Sequence, residues 1–226
     1  MIGGMSWESS IEYYRIINET VRTELGGLHS AKSILYSVEF AEIEALQHRD
    51  RWDEAANIMI AAARSIENGG ADFAIICTNT MHKLYDIVQK SIRIPMLHIA
   101  DATAEKIKAQ GLRRIALLGT RFTMEEDFYK GRLVEKYGLE VIIPLEADME
   151  IVHRVIYDEL CGGIIRADSK QKYAEIIQRL VAEGAEGIIL GCTEIGLLVK
   201  PEDSPVPLFD TTEIHARAAV AYALGN

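Results

Sequence analysis

Residues 70–80 read GADFAIICTNT and residues 184–194 read GAEGIILGCTE. Each begins at a Gly-Ala-acid corner, runs through apolar residues rich in isoleucine and ends in a polar turn. That is the pattern of a buried strand delivering side chains at its carboxyl end. Counted from the first glycine of each stretch, Thr78 and Cys192 both lie eight residues on. The flanks repeat too. Ile2-Gly3-Gly4-Met5-Ser6 resembles Leu117-Leu118-Gly119-Thr120-Arg121 upstream, and Ile94-Pro95-Met96-Leu97 resembles Val206-Pro207-Leu208-Phe209 downstream.

Working outward, short apolar or β-branched runs at 34–40, 73–76, 115–118, 141–143, 188–190 and 208–209 alternate with helical periodicity at 55–66, 103–108, 125–137, 149–160, 173–182 and 213–224. Alternation of this kind predicts βαβ units and mostly parallel sheets covered on both faces. The repeat divides them into an α/β fold of two pseudo-symmetric lobes, each a mostly parallel sheet flanked by helices, with the active site in the cleft between them. The lobes are expected at 1–101 plus 211–226 and at 102–210, the last helix crossing back onto the first lobe. An opening helix is read from Trp7, Ile11, Tyr14, Ile17, Val21 and Leu25 at three- and four-residue intervals, with Ser6 as N-cap and Gly26-Gly27 as the stop. This stripe is expected to face the core. The second copy has 113–118 as a full strand before Gly119, whereas the first has only Met1-Ile2 before Gly3, so either the true start lies upstream or the first strand is short.

The 226 residues are 49% hydrophobic, 26% charged and 7% aromatic, with mean hydropathy +0.05. Such a chain can bury a core without staples. Lys+Arg 24 against Asp+Glu 34 gives a formal charge of −10, which repels nucleic-acid phosphates and anionic membranes. No apolar run approaches the ~18 residues of a membrane span, and no basic-then-apolar leader opens the chain, so the expected address is the cytoplasm. Cys77, Cys161 and Cys192 are an odd set without C-x-x-C spacing, which argues against a disulfide framework or a zinc site. Gly3-Gly4 and Gly119 lack the G-x-G-x-x-G pattern or a P-loop lysine, so a nucleotide is not expected.

In parallel sheets ligands bind beyond the carboxyl ends of the strands. Thr78 and Cys192 occupy two such ends, and an approximate twofold would bring them to one ligand from opposite faces. That suits proton removal and return at a single carbon.

Three motifs carry a resemblance: G-G-M-S-W at 3–7, C-T-N-T-M-H at 77–82 and G-C-T-E at 191–194. Together they resemble the aspartate/glutamate racemase family, in particular its broad-specificity amino-acid racemase branch. The resemblance implies an enzyme that racemises aspartate, glutamate or a related polar amino acid, with no cofactor and no metal, usually as a homodimer. It implies one cysteine per lobe, each a base toward one enantiomer and an acid toward the other. The second cysteine falls on Cys192, but the first falls on Thr78. Cys77 is adjacent to it, yet neighbouring strand residues point to opposite sides.

A thiol begins near pKa ~8.5 and can be lowered at helix N-termini, whereas an alcohol needs a dedicated base. Cys192 as thiolate and Thr78 as donor are therefore expected to favour one enantiomer. Asn79, Thr80 and Thr193 are expected to cradle the α-carboxylate, while Met5, Ser6, Thr120 and Thr123 line the pocket by resemblance. A lysine the family uses for the distal carboxylate is replaced by Cys161 in Tyr157-Asp158-Glu159-Leu160-Cys161, leaving Gln47, Arg49 or Arg121 for that group. Cys77 and Cys161 read as buried fillers. His82, His98 and His215 read as structural histidines, with His82 at helical spacing from Thr78. Glu194 either orients a neighbour or caps the following helix. Competing readings are a decarboxylase or cis-trans isomerase of small dicarboxylates on the same fold, or a non-catalytic sensor.

Overall fold

Every strand pairing in the computed structural model, which describes residues 1–225, is parallel. The chain forms two compact units, one of Met1–His98 together with the chain from His215 onward, the other Ile99–Ile214.

In the first unit the elements run β1 (Ile2–Gly3), α1 (Trp7–Leu25), β2 (Tyr36–Ser37), α2 (Phe40–His48), α3 (Trp52–Asn68), β3 (Ala74–Ile75), a 3-10 turn (Thr80–Leu84), α4 (Tyr85–Gln89) and β4 (Met96–Leu97). β1 pairs with β2, β3 with β4, and a single bridge from Ile2 to Ile76 joins the two pairs in the order β2-β1-β3-β4. One core beside this sheet gathers Ile2, Ile43, Met59, Ile66, Ile76 and Met81. Another gathers Tyr13, Ile17, Ile75, Cys77, Ala216 and Val220.

The second unit runs α5 (Ile99–Ala109), β5 (Arg114–Gly119), α6 (Arg121–Glu125), α7 (Lys130–Tyr137), β6 (Glu140–Ile142), α8 (Glu146–Asp158), α9 (Ala167–Ala182), β7 (Gly187–Gly191), α10 (Ile195–Leu198), β8 (Leu208–Asp210) and α11 (Thr211–Leu224), whose residues from His215 onward belong to the first unit. Its sheet order is β6-β5-β7-β8. With β5, β6, β7 and β8 matched to β1, β2, β3 and β4, the two units share one topology. Ile115–Leu118 and Gly187–Leu190 are buried throughout, the signature of strands covered on both faces. The registers Ile2↔Ile76 and Leu118↔Leu190 match Ile2 to Leu118 and Gly3 to Gly119, one residue off the comparison made from sequence.

Glycine is required where β5 and β7 end. A Cβ on Gly119 would stand 2.8 Å from the Gly191 carbonyl oxygen, and one on Gly191 2.9 Å from the Leu118 carbonyl oxygen. Only bare backbones close the sheet there.

The opening helix departs from expectation in its facing. Ser6 is its N-cap, accepting from the Ser9 N–H, and Gly26 closes it. Ile17 and Val21 are buried, but Trp7 (61% exposed), Ile11, Tyr14 and Leu25 face outward. The buried stripe is Ser9, Ser10, Tyr13, Ile16, Ile17, Thr20 and Val21. Small hydroxyls suit this face because the helix lies against the glycines of β1. Ser10 Oγ accepts the Gly4 N–H at 2.8 Å and donates to the Ser6 carbonyl at 2.9 Å. The other tryptophan, Trp52, carries the Lys83 ammonium 3.9 Å above its ring centroid.

Two further expectations are corrected. The strand read at 34–40 is only Tyr36–Ser37, because Phe40 starts α2 with the Glu39 carboxylate accepting the Ala41 N–H. The helix read at 125–137 is two helices, broken where Glu126 turns extended. No described helix is long and apolar enough to cross a membrane.

Candidate active site

Met5, Ser6, Gln47, Thr78, Asn79, Thr80, Thr120, Thr123, Cys192 and Thr193 are all buried, and they fall into a group in each unit at the carboxyl ends of the strands.

In the first unit, Met5 and Ser6 follow β1, and Thr78, Asn79 and Thr80 follow β3. Gln47 joins them from α2: its Nε2 donates to the Met81 Sδ at 3.0 Å, tying that helix to the turn after Thr78. The Thr78 carbonyl accepts from His82 Nδ1 at 2.8 Å. Cys77 is fully buried in the core with Tyr13 and Ile75, and burial pushes its thiol up to about 12. It packs there as a buried hydrophobe.

In the second unit, Thr120 caps α6, with its Oγ1 accepting the Thr123 N–H and lying 3.1 Å from the Thr123 hydroxyl. Thr123 packs where β5 and β7 end, its Cβ 3.2 Å from the place a Gly119 Cβ would take. Just past β7, the Cys192 Sγ donates to Glu194 Oε2 at 2.9 Å, and the Thr193 hydroxyl donates to the same oxygen at 2.9 Å.

Cys192 therefore differs from expectation in its charge. A thiol at a helix start was expected to be lowered; burial, and then the Glu194 carboxylate, hold it well above its ordinary value. The following helix α10 spans four residues, too little aligned dipole to outweigh a buried carboxylate two residues away. The resting group is a thiol with a proton acceptor already hydrogen-bonded to it. Once formed, its thiolate would be strongly basic, which suits removal of a weakly acidic C–H. Glu194 is the member of this site that sequence leaves between two roles. Its bond to Cys192 needs the turn geometry, although a carboxylate two residues past a strand-end cysteine is the available signal.

The residues considered for a distal carboxylate separate. Arg121 forms ion pairs with Glu125, Glu146 and Glu150, so its charge is already matched. Arg49 is exposed at the end of α2. Gln47 is buried beside the Thr78 turn. Cys161 packs at the edge of the second unit's core. Among the described residues no three His, Cys, Asp or Glu side chains are arranged to hold a metal ion.

A deeper layer in the first unit was legible only in part. His82, His98 and His215 are all buried. The His82 ring lies 4.6 Å from that of His98 and 5.9 Å from that of His215, centroid to centroid. Tyr13 and Tyr85, which the sequence does not single out, hold this layer. The Tyr13 hydroxyl lies 2.9 Å from His215 Nδ1, and the Tyr85 hydroxyl donates to the Met96 carbonyl at 2.6 Å.

Parallel α/β sheets of one topology, each ending in buried hydroxyl, amide or thiol groups, define a class of protein that handles a small polar ligand at strand ends. Comparison with known proteins narrows this class. The Asp/Glu/hydantoin racemase family profile matches residues 2–219, and the chain belongs to that family. It is similar to the broad specificity amino-acid racemase RacX of Bacillus subtilis (strain 168), 25% identical over 75% of this chain and 72% of the relative. Among solved structures it is similar to a candidate Asp/Glu racemase from Yersinia pestis, with TM-score 0.92, 57% identity and coverage of 99% of this chain and 97% of that one. It is also similar to an aspartate racemase homologue from Pyrococcus horikoshii OT3, with TM-score 0.85, 38% identity and coverage of 99% and 97%.

Proposed function

We propose that this chain racemises a polar α-amino acid, aspartate, glutamate or a relative, without a cofactor, Cys192 and Thr78 exchanging protons on opposite faces of the α-carbon. The observation that carries the proposal is the Cys192 thiol donating to buried Glu194 just past β7, at the position that the repeat matches to Thr78.

The steps balance as follows. Glu194 takes the thiol proton, and the thiolate removes the α-proton, becoming a thiol again. The electron pair left on carbon spreads onto the α-carboxylate, whose growing charge suits the donors of Asn79, Thr80 and Thr193. A proton from the Thr78 side completes inversion, and solvent carries the proton held by Glu194 back to the Thr78 hydroxyl. Because an alcohol is a far weaker acceptor than a thiolate at neutral pH, the enantiomer whose α-proton faces Cys192 turns over faster. Gln47, an amide where a cation would select a distal carboxylate, supports acceptance of more than one polar side chain.

The test is α-proton NMR in D2O, starting separately from each enantiomer of aspartate and glutamate. Exchange with inversion at clearly unequal initial rates, made more even by Thr78→Cys, is expected. Release of CO2, or saturable binding with no exchange, would sink the proposal.

A further inference from the structure

We infer that His82 is a positioning residue for the Thr78 half of the reaction, holding the peptide between Thr78 and Asn79 through the Thr78 carbonyl; this rests on the racemase reading above.

A carbonyl carries no proton, so the 2.8 Å contact from His82 Nδ1 to Thr78 O fixes the proton on Nδ1. The peptide is planar and trans, so drawing its C=O toward the imidazole sends the Asn79 N–H the opposite way. Its orientation also sets the direction in which the Thr78 side chain leaves the backbone. One side-chain bond thus governs the hydroxyl that returns the proton.

The second half of the repeat shows what this bond replaces. There the carbonyl of Cys192, the counterpart of Thr78, accepts the Ile195 N–H at 3.1 Å, within the backbone of the following turn. In the first half the turn starts one residue later: Asn79 O accepts the His82 N–H at 3.0 Å. The Thr78 carbonyl is thereby left to the imidazole.

That imidazole is held firmly. Tyr85 stacks on it with ring centroids 6.0 Å apart and planes 10° from parallel. His215, edge-on to it, donates from Nε2 to the Leu97 carbonyl at 3.1 Å and accepts the Tyr13 hydroxyl on Nδ1. The Tyr85 and His215 bonds anchor the rings to β4, next to β3, from which the chain runs on to Thr78.

The test uses the full chain in D2O and follows two rates from the enantiomer whose α-proton Cys192 removes: loss of the α-proton, and inversion. His82→Phe is expected to lower inversion relative to exchange by about tenfold, the cost of a misplaced reacting group, while exchange itself stays near the native rate. His82→Asn, whose amide can take the place of Nδ1–H, is expected to recover most of that loss. Inversion and exchange falling together, or a ratio that does not move, would overturn the inference while leaving the racemase reading intact. Absence of exchange in the unmodified chain would instead overturn the racemase reading, and this inference with it. Nitrogen-15 NMR of unmodified His82 gives a test that depends on no variant: a proton on Nδ1 is expected, and a ring protonated on Nε2 alone refutes the assignment.

Discussion

At the scale of single residues, the central pair is Cys192 and Glu194. Since burial and the neighbouring carboxylate both disfavour the thiolate, Cys192 is expected to react slowly with iodoacetamide at neutral pH and faster only in alkali. Glu194→Gln removes the nearby negative charge, so alkylation should speed up while amino-acid turnover falls, by about 10²- to 10⁴-fold for a lost general base. Rates of alkylation by mass spectrometry and of inversion by polarimetry check the two opposite signs. Both rates falling together would mean that Glu194 serves folding alone. Thr78 and Cys192 were legible in sequence because each ends an apolar strand at a fixed count from a glycine corner. The partners of these residues were not. Glu194 reaches back two residues and His82 four, and whether such reaches close depends on where a turn begins, which differs by one residue between the halves.

Secondary-structure elements follow the same division. The runs 115–118 and 188–190 were readable as strands because burial on both faces leaves an unbroken apolar stretch. α1 was readable as a helix but not in its facing. Its exposed Trp7, Ile11 and Tyr14 share the three- and four-residue spacing of the buried stripe, and Ser9 and Ser10 count as polar although both are buried, Ser10 against Gly3 and Gly4. The break between α6 and α7 has no proline to announce it. Where β5 and β7 close on each other, Gly191→Ala would set a methyl group against Leu117 Cδ1 and the Leu118 carbonyl. A loss of about 1–3 kcal/mol is expected for such overpacking, read from the urea midpoint.

In α11, His215 is fully buried and held neutral, its pKa lowered from 6.5 to about 4 by desolvation. A histidine with a lowered folded value stabilises the fold above its unfolded pKa, and that share is lost as pH falls from 6.5 through about 4. The full difference is on the order of 3 kcal/mol. His215→Gln should flatten this part of the stability profile, as measured by urea unfolding at pH steps across the window.

For the molecule as a whole the alkaline limb is the more telling. Cys77, Tyr129, Tyr173 and Cys192 are all raised, chiefly by burial. An acid whose folded value is raised stabilises the fold below its unfolded pKa, and that share disappears as pH climbs through the folded value. For Cys77 the window runs from 9 to about 12. Thermal unfolding midpoints should therefore hold through mildly alkaline pH and then fall, and Cys77→Ala, though less stable at neutral pH, should lose less over the same climb. Equal slopes for the two chains would show that Cys77 does not titrate with unfolding.

Trp7 and Trp52 are the chain's two tryptophans, and both sit in the first unit, one open to water and one beneath the Lys83 ammonium. Intrinsic indole emission consequently arises from that unit. Residues 99–214 hold no indole, so any optical record of unfolding should be paired with circular dichroism before a single transition is claimed.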